Sequence, residues 1–153
     1  FLPQETAGRD SIIQILQGLA KTLVKYQDPQ SGTWYQVTDQ GAREGNYLES
    51  SATALFVYTL AKAINKGYLG NEYIEPTKKA FDGMVKTFTR LEEDGSYTIT
   101  NCCAVAGLGG DSKRYRDGSF EYYISEPIIE NDPKSVGSFI LAAIEYEKMT
   151  EKK

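Results

Sequence analysis

The chain has 153 residues, of which 41% are hydrophobic and 25% are charged, and its net charge is −4. These values suit one globular domain with a core of its own. The acidic balance argues against nucleic acid as a partner, because binding a phosphate backbone needs a basic face. No apolar run approaches the roughly 18 residues of a membrane span, and the first residues lack the charged and apolar regions of a signal peptide. We therefore expect a soluble protein of the cytoplasm or the periplasm, without membrane or nucleic-acid partners.

The first predicted helix runs from about Asp10 to Gln27. Asp10 or Ser11 is expected to cap its start, and Asp28-Pro29 to end it. Apolar residues recur along it every three or four positions, as on a half-exposed helix: Ile12, Leu16, Leu19, Leu23 and Tyr26.

A long link follows, from Asp28 to Tyr47, and contains the segment GTWYQVTD. Its aromatic pair, Trp34 and Tyr35, has two interpretations that the sequence leaves open. The rings either pack the link against helix ends, or they form a stacking platform for a sugar ring. The following Glu49-Ser50-Ser51 is expected to cap the next helix rather than to contact a substrate.

Three further helices are predicted, and they differ in how apolar they are. The helix from about Leu48 to Lys66 is apolar nearly all round and should be buried. The helix from about Ile74 to Arg90 has a single apolar stripe and should be half-exposed. The last helix, from about Lys134 to Met149, is apolar and small over Val136–Ile144 and should be buried. This alternation predicts an inner layer of helices ringed by an outer layer.

The second long link, from Leu91 to Pro133, contains two segments with period-two alternation. These segments, Ser96–Thr100 and Ser119–Tyr123, predict a small antiparallel ribbon. Both long links end at the start of a buried helix, so they should lie at one end of the helical layer. Because long ordered loops are usually functional, we expect a site at that end.

The same link carries a cluster of basic residues in an otherwise acidic protein: Lys113, Arg114 and Arg116. The cluster is either a solvated loop or an anion site, since Arg can grip a carboxylate through two hydrogen bonds. Further along, Asp132 is expected to cap the last helix, with Pro133 at its first position. The candidate substrate-binding residues are therefore Trp34, Tyr35, Arg114, Arg116, Asp132 and Lys134. No pair of carboxylates indicates acid/base catalysis, so no catalytic residue is assigned.

The residues that usually hold metals are scarce. The chain has no histidine, and its two cysteines, Cys102 and Cys103, are adjacent. Neighbouring cysteines rarely satisfy disulfide geometry, so we expect two reduced thiols. We expect neither a metal site nor a cofactor.

Five motifs resemble one family of enzymes: GTWYQVTD, NYLESSATALFVYTLAKAINKGYL, CCAVAGLGG, YRDGSFEYYISEP and NDPKSVGSF. They are similar, from about Leu2 to Met149, to the C-terminal half of the unsaturated rhamnogalacturonyl hydrolases. These form glycoside hydrolase family 105 and are relatives of the family 88 unsaturated glucuronyl hydrolases. One departure is Ser135, where the family usually has glycine. The resemblance implies an all-α fold that is part of an (α/α)6 barrel, six helical hairpins in two rings, with residues 1–153 as its C-terminal portion and the N-terminal half absent.

The resemblance also implies an activity. The substrates would be pectin-derived oligosaccharides of the rhamnogalacturonan type that end in a 4,5-unsaturated uronic acid. An aspartic acid protonates the enol-ether double bond, water adds across it, and the hydrated sugar leaves. That aspartate belongs to the family's N-terminal half, so we expect the catalytic acid outside this chain and no activity from the chain alone. The inner helices would need the missing half, or copies of the chain, to cover them.

The sequence is also compatible with two other functions. A helical module that binds glycans without cleaving them would use Trp34, Tyr35 and the basic loop. A different α/α carbohydrate enzyme, such as a polysaccharide lyase or sugar epimerase, ranks last. Those enzymes usually rely on histidine or tyrosine as acid or base, and this chain has no histidine.

Overall fold

Four long helices form the body of the protein. The computed structural model describes residues 3–41, 43–110 and 115–151. In chain order the elements are α1 (Arg9–Tyr26), α2 (Ser50–Asn65), a 3-10 turn (Asn71–Tyr73), α3 (Ile74–Phe88), β1 (Thr89–Leu91), β2 (Tyr97–Ile99), β3 (Cys102–Cys103), α4 (Phe120–Ser125), β4 (Ile128–Ile129) and α5 (Pro133–Glu151). The four predicted helices are confirmed, each within two residues of its expected bounds. The predicted cap of α1 is wrong: Gly8 precedes the helix in a left-handed conformation, and Asp10 lies in the first turn.

Helices α2 and α5 lie side by side as the inner pair. Ser50 and Ser135, at their N-termini, are joined by a hydrogen bond of 2.9 Å between the two hydroxyl oxygens. Further along, the Asn65 side-chain amide donates to the Glu145 carbonyl at 2.8 Å. The two helices therefore run in the same direction, as neighbouring helices of one inner ring do.

Helices α1 and α3 form the outer layer. The ring of Phe81 on α3 stacks on Tyr146 of α5 with centroids 3.8 Å apart. The backbone of the first long link crosses α3 at Gly83, where a Cβ atom would lie 1.9 Å from the Ser31 carbonyl oxygen. Only glycine permits this close approach, which explains a glycine inside an amphipathic helix. α2 packs mainly against α5, and α3 packs mainly against α2, as expected for an inner pair with an outer neighbour.

The inner helices are not buried on all sides. Four aliphatic side chains on α2 and α5 are 43–56% exposed: Leu55, Ile140, Leu141 and Ile144. On the outer helix α1, Ile12, Ile15 and Leu19 are 46–72% exposed. The prediction that α5 is buried all round is therefore wrong for this chain. The described residues place no element over that side of α5.

The small ribbon is confirmed, but with a different partner strand. β1 pairs antiparallel with β2, placing Thr89 opposite Ile99, and β3 pairs with β4. The second predicted strand, Ser119–Tyr123, is wrong because it forms the start of α4. The Ser119 hydroxyl oxygen accepts from the Tyr122 backbone N–H at 3.1 Å, which is the geometry of a helix N-cap.

None of the helices in the described ranges is both long enough and apolar enough to cross a membrane.

Candidate functional site

The two long links meet at the N-termini of α2 and α5, as predicted. The backbone N–H of Glu49 donates to the Trp34 carbonyl at 2.9 Å. The next residue, Ser50, donates its backbone N–H to the Asn101 carbonyl at 3.0 Å. The start of α2 is thus held by both links, and we call this end of the molecule the mouth.

Glu49 is the central connection at the mouth. Its side chain is only 1% exposed. One carboxylate oxygen accepts from the Ala52 backbone N–H at 2.6 Å. The other accepts from the Ser51 hydroxyl at 2.8 Å and from the Cys103 backbone N–H at 3.0 Å. The predicted capping role is confirmed, and burial leaves this carboxylate no access to a substrate.

The two cysteines lie beside Glu49 as free, buried thiols, as predicted. The Gln36 side-chain amide donates to the Cys103 sulfur at 3.3 Å. Burial raises the pKa of both thiols, and burial beside Cys103 and Glu49 raises the pKa of Tyr47 above its usual range. These groups are therefore neutral at pH 7 and fill the mouth rather than react in it.

Asp132 and Lys134 form an ion pair at the start of α5. One Asp132 carboxylate oxygen accepts from the Lys134 backbone N–H at 2.8 Å and from its ammonium at 2.6 Å. The ammonium also donates to the Ala104 carbonyl at 2.8 Å. The pair lowers the pKa of Asp132 and raises that of Lys134. The predicted N-cap is confirmed, and the Lys134 side chain remains 53% exposed as a cation at the mouth.

Replacing Asp132 with Ala is expected to lower the melting temperature by about 2–4 °C, because α5 loses the acceptor in its first turn. Asp132→Asn keeps an acceptor and should cost less. Because the folded pKa lies below the ordinary value, the charge of Asp132 stabilises the fold at neutral pH. That contribution disappears as the pH falls below about 4 and through the folded pKa.

The melting difference between the wild type and Asp132→Asn should therefore vanish in acid, as followed by circular dichroism. Asp39→Asn, on an exposed side chain of the first link, controls for the loss of one charge. A difference that persists or grows in acid would contradict the assignment.

A second group of hydrogen-bonded polar side chains lies on α4 and at its C-terminal end. The Tyr122 hydroxyl donates to a carboxylate oxygen of the buried Glu126 at 2.6 Å and accepts from the Gly107 backbone N–H at 3.1 Å. Burial and Glu126 raise the pKa of Tyr122. Arg116 pairs with Gly109 through two backbone hydrogen bonds of 2.9 and 3.0 Å, and its guanidinium lies against Gly107. Sequence reasoning missed the Tyr122–Glu126 bond because a strand was predicted where the i,i+4 spacing belongs to a helix.

Arg43 fastens the first link to α4. Its guanidinium forms an ion pair with Glu121 and lies over the ring of Phe120, 3.8 Å from the centroid. The two links are therefore joined into one continuous surface, which we call the wall.

Lys113 and Arg114 of the predicted basic cluster lie outside the described residues, so the role of Arg114 stays a prediction.

The two aromatic residues of the first link, Trp34 and Tyr35, differ in their exposure to solvent. Trp34 is 1% exposed, donates its indole N–H to the Leu23 carbonyl at 2.8 Å and meets the ring of Phe56 edge-on. It has no free face for a sugar, so the stacking interpretation is wrong for Trp34. Tyr35 is half-buried and lines an open cleft of about 390 Å³. Gly41 covers part of its ring, so any stacking on Tyr35 is limited to the remaining surface.

The model of the Glycosyl Hydrolase Family 88 matches residues 1–150. The chain belongs to this family. A family 105 glycoside hydrolase of Clostridium acetobutylicum is 46% identical, with a TM-score of 0.91 over 95% of this family 88 chain and 40% of that protein. A possible member of family 105 from Salmonella enterica is 28% identical, with a TM-score of 0.75 over 95% of this chain and 34% of its own.

A curated relative, the 24.9 kDa protein in the picA locus of Rhizobium radiobacter, is 38% identical over 95% of the chain. The family 88 chain spans 63% of that relative and 40% of the Clostridium structure. Its fold is therefore part of an (α/α)6 barrel, with α2 and α5 in the inner ring and α1 and α3 in the outer ring.

Proposed function

We propose that this chain is part of a glycoside hydrolase that releases a 4,5-unsaturated uronic acid from rhamnogalacturonan-type oligosaccharides of pectin. The observation that carries the proposal is the match to the Clostridium family 105 structure, at 46% identity and a TM-score of 0.91. The reaction adds water across the enol-ether double bond after an aspartic acid protonates it. The hydrated sugar then rearranges and leaves the oligosaccharide.

The proposal places the catalytic acid outside this chain, and the state of the acidic side chains at the mouth supports that placement. Glu49 is buried and accepts three hydrogen bonds. Glu126 is buried and accepts from Tyr122, and Asp132 is paired with Lys134. None of these three carboxylates is a free acid facing an open space.

The contribution of this chain to the site is instead positive charge. Lys134 at the start of α5 donates to the Ala104 carbonyl of the second link, and Arg116 lies in the same link with its guanidinium against Gly107. A uronate carries a carboxylate, and charge-assisted hydrogen bonds to such a group are strong. We propose that these two side chains orient the unsaturated sugar. Tyr35 lines a separate open cleft between the first link and the end of α1, where its ring could contact a further sugar of the oligosaccharide.

The isolated chain is expected to show no turnover of an unsaturated uronyl disaccharide, because it lacks the proton donor. The measurement is the loss of ultraviolet absorbance as the double bond disappears. The complete Clostridium family 105 enzyme, assayed with the same substrate, is the reference. Turnover by the chain alone would contradict the placement of the acid.

Arg116→Ala is expected to raise KM by about tenfold while kcat changes little, since a charge-assisted hydrogen bond is lost on binding. The test requires a complete barrel, so this chain would replace the matching region of the Clostridium enzyme. Lys86→Ala, on the exposed surface of α3, is the matched loss of one positive charge. An unchanged KM for Arg116→Ala would remove Arg116 from the site.

A further inference from the structure

Glu126 is a buried carboxylate in the second link, directly after α4. Its side chain belongs to a residue that is only 2% exposed, and one of its oxygens accepts from the Tyr122 hydroxyl at 2.6 Å. Burial and Glu126 together raise the pKa of Tyr122, so the phenol stays protonated at neutral pH. A hydroxyl has a single hydrogen, which here points at Glu126 and leaves the Tyr122 oxygen to act as an acceptor.

That acceptor holds the backbone of the second link at Gly107. The Gly107 N–H donates to the Tyr122 oxygen at 3.1 Å, across 15 residues of the chain. Tyr122 is itself fixed from the other side, because its backbone N–H donates to the Ser119 hydroxyl that caps α4. The Tyr122–Glu126 pair therefore anchors Gly107 to α4.

Gly107 is the residue on which the Arg116 side chain rests. A Cβ atom at Gly107 would lie 3.1 Å from a terminal guanidinium nitrogen of Arg116. The Arg116 backbone pairs with Gly109, and residues two positions apart on an extended segment share a face. The guanidinium thus lies along a surface that two glycines keep free of side chains. Its position depends on where the Gly107 backbone is held.

We propose that Tyr122 and Glu126 are positioning residues, which act through Gly107 to set the place of the Arg116 guanidinium in the site. This inference rests on the proposed function, in which Arg116 binds the uronate carboxylate. A long side chain that must be ordered on binding costs affinity, so a guanidinium held in advance binds the carboxylate more tightly. The loss of this support should therefore appear in KM and not in kcat.

The second cation of the site, Lys134, is held by a different set of contacts. Its ammonium donates to the Ala104 carbonyl at 2.8 Å, and the Ala104 N–H donates to the Pro127 carbonyl at 2.9 Å. Neither bond involves the Tyr122 hydroxyl. Lys134 is therefore a matched comparison, because removing that hydroxyl should affect the contribution of Arg116 alone.

The experiment uses the complete barrel in which this chain replaces the matching region of the Clostridium enzyme, with the unsaturated uronyl disaccharide as substrate. Tyr122→Phe removes only the hydroxyl and should raise KM about fivefold with little change in kcat. Tyr123→Phe makes the same change on the adjacent ring and should leave KM unaltered. Glu126→Gln keeps an acceptor for the hydroxyl, so its KM should stay within about twofold of the wild type.

Double variants separate positioning from a general effect on folding. In an Arg116→Ala background, Tyr122→Phe should raise KM by less than about twofold, because the group that it positions is gone. In a Lys134→Ala background, the rise of about fivefold should remain. Gly107→Ala approaches the same contact from the other side: it keeps the N–H but adds a methyl group against the guanidinium, and should also raise KM.

Two results would overturn the inference: a KM that Tyr122→Phe leaves unchanged while Arg116→Ala raises it, or the same factor from Tyr122→Phe in both backgrounds. An unchanged KM for Arg116→Ala would instead refute the role of Arg116 in the proposed function.

A measurement that needs no turnover tests the anchor itself. Amide hydrogen exchange, followed by mass spectrometry of the peptide that contains Gly107, should be at least about tenfold faster at Gly107 in Tyr122→Phe, because the N–H has lost its acceptor. Tyr123→Phe should exchange as the wild type does. Faster exchange in a complete barrel that fails to turn over the disaccharide would uphold the anchor and contradict the proposed function, whereas unchanged exchange would overturn the anchor whatever the activity.

Discussion

Replacing Trp34 with Ala should lower the free energy of unfolding by about 3–5 kcal/mol, the usual cost of deleting a large core aromatic side chain. The ring is almost completely buried between the first link, α1 and α2, and touches Phe56 at a centroid distance of 5.2 Å. Its removal leaves a cavity and strips the Leu23 carbonyl of the indole N–H, its side-chain donor.

Urea unfolding of three variants measures the effect. Trp34→Phe keeps most of the apolar volume but loses the indole donor, so it should fall between the wild type and Trp34→Ala. Tyr97→Ala, which removes a ring that is 67% exposed, is the control and should change stability little. If Trp34→Ala retained full stability while glycan binding by the chain weakened, the stacking interpretation would return.

The helical architecture could be predicted from the sequence because it depends on local signals. Apolar spacing identified the four helices, although the burial that it predicted for α5 is wrong for this chain. The Asp132–Pro133 pair and Glu49 marked helix starts through short-range capping, which involves atoms only two or three residues apart. The position of the mouth followed from chain connection alone, since both long links end where an inner helix begins.

The errors arose where the outcome depends on distant contacts. Ser119–Tyr123 alternates as a strand does, yet Ser119 caps a helix whose Tyr122 reaches Glu126, four residues on. The strand that does pair with β2 is Thr89–Leu91, which follows α3 without a break and offered no alternation to recognise. Trp34 had two interpretations because its burial depends on Leu23 and Phe56, on two different helices.

The hydrogen bond that joins the two links at the mouth could not be predicted from local sequence either. Glu49 was recognised as a cap, but its bond to the Cys103 backbone N–H joins residues 54 positions apart. No local pattern in either segment indicates that pairing. The two links form one wall because of this contact and because Arg43 of the first link forms an ion pair with Glu121 of α4.

Glu49→Ala is expected to lower the free energy of unfolding by about 2–4 kcal/mol and to loosen the mouth selectively. The substitution leaves two backbone donors without their acceptor: the buried N–H of Cys103 and the part-buried N–H of Ala52. Removing the acceptor of a buried donor lowers the free energy of unfolding, because the donor stays out of contact with water and no longer has a hydrogen-bond partner. Glu49→Gln keeps the shape and one acceptor oxygen, so its effect should be smaller.

Urea unfolding gives the global effect, and amide hydrogen exchange by NMR separates it from the local one. The Cys103 amide should exchange at least about tenfold faster in Glu49→Ala than global destabilisation alone accounts for, whereas amides in the middle of α5 should follow the global change. Glu44→Ala, an exposed glutamate of the same link, is the matched control. If Cys103 exchange rises only in proportion to the amides of α5, then Glu49 acts as a helix cap alone and the two links are held together by other contacts.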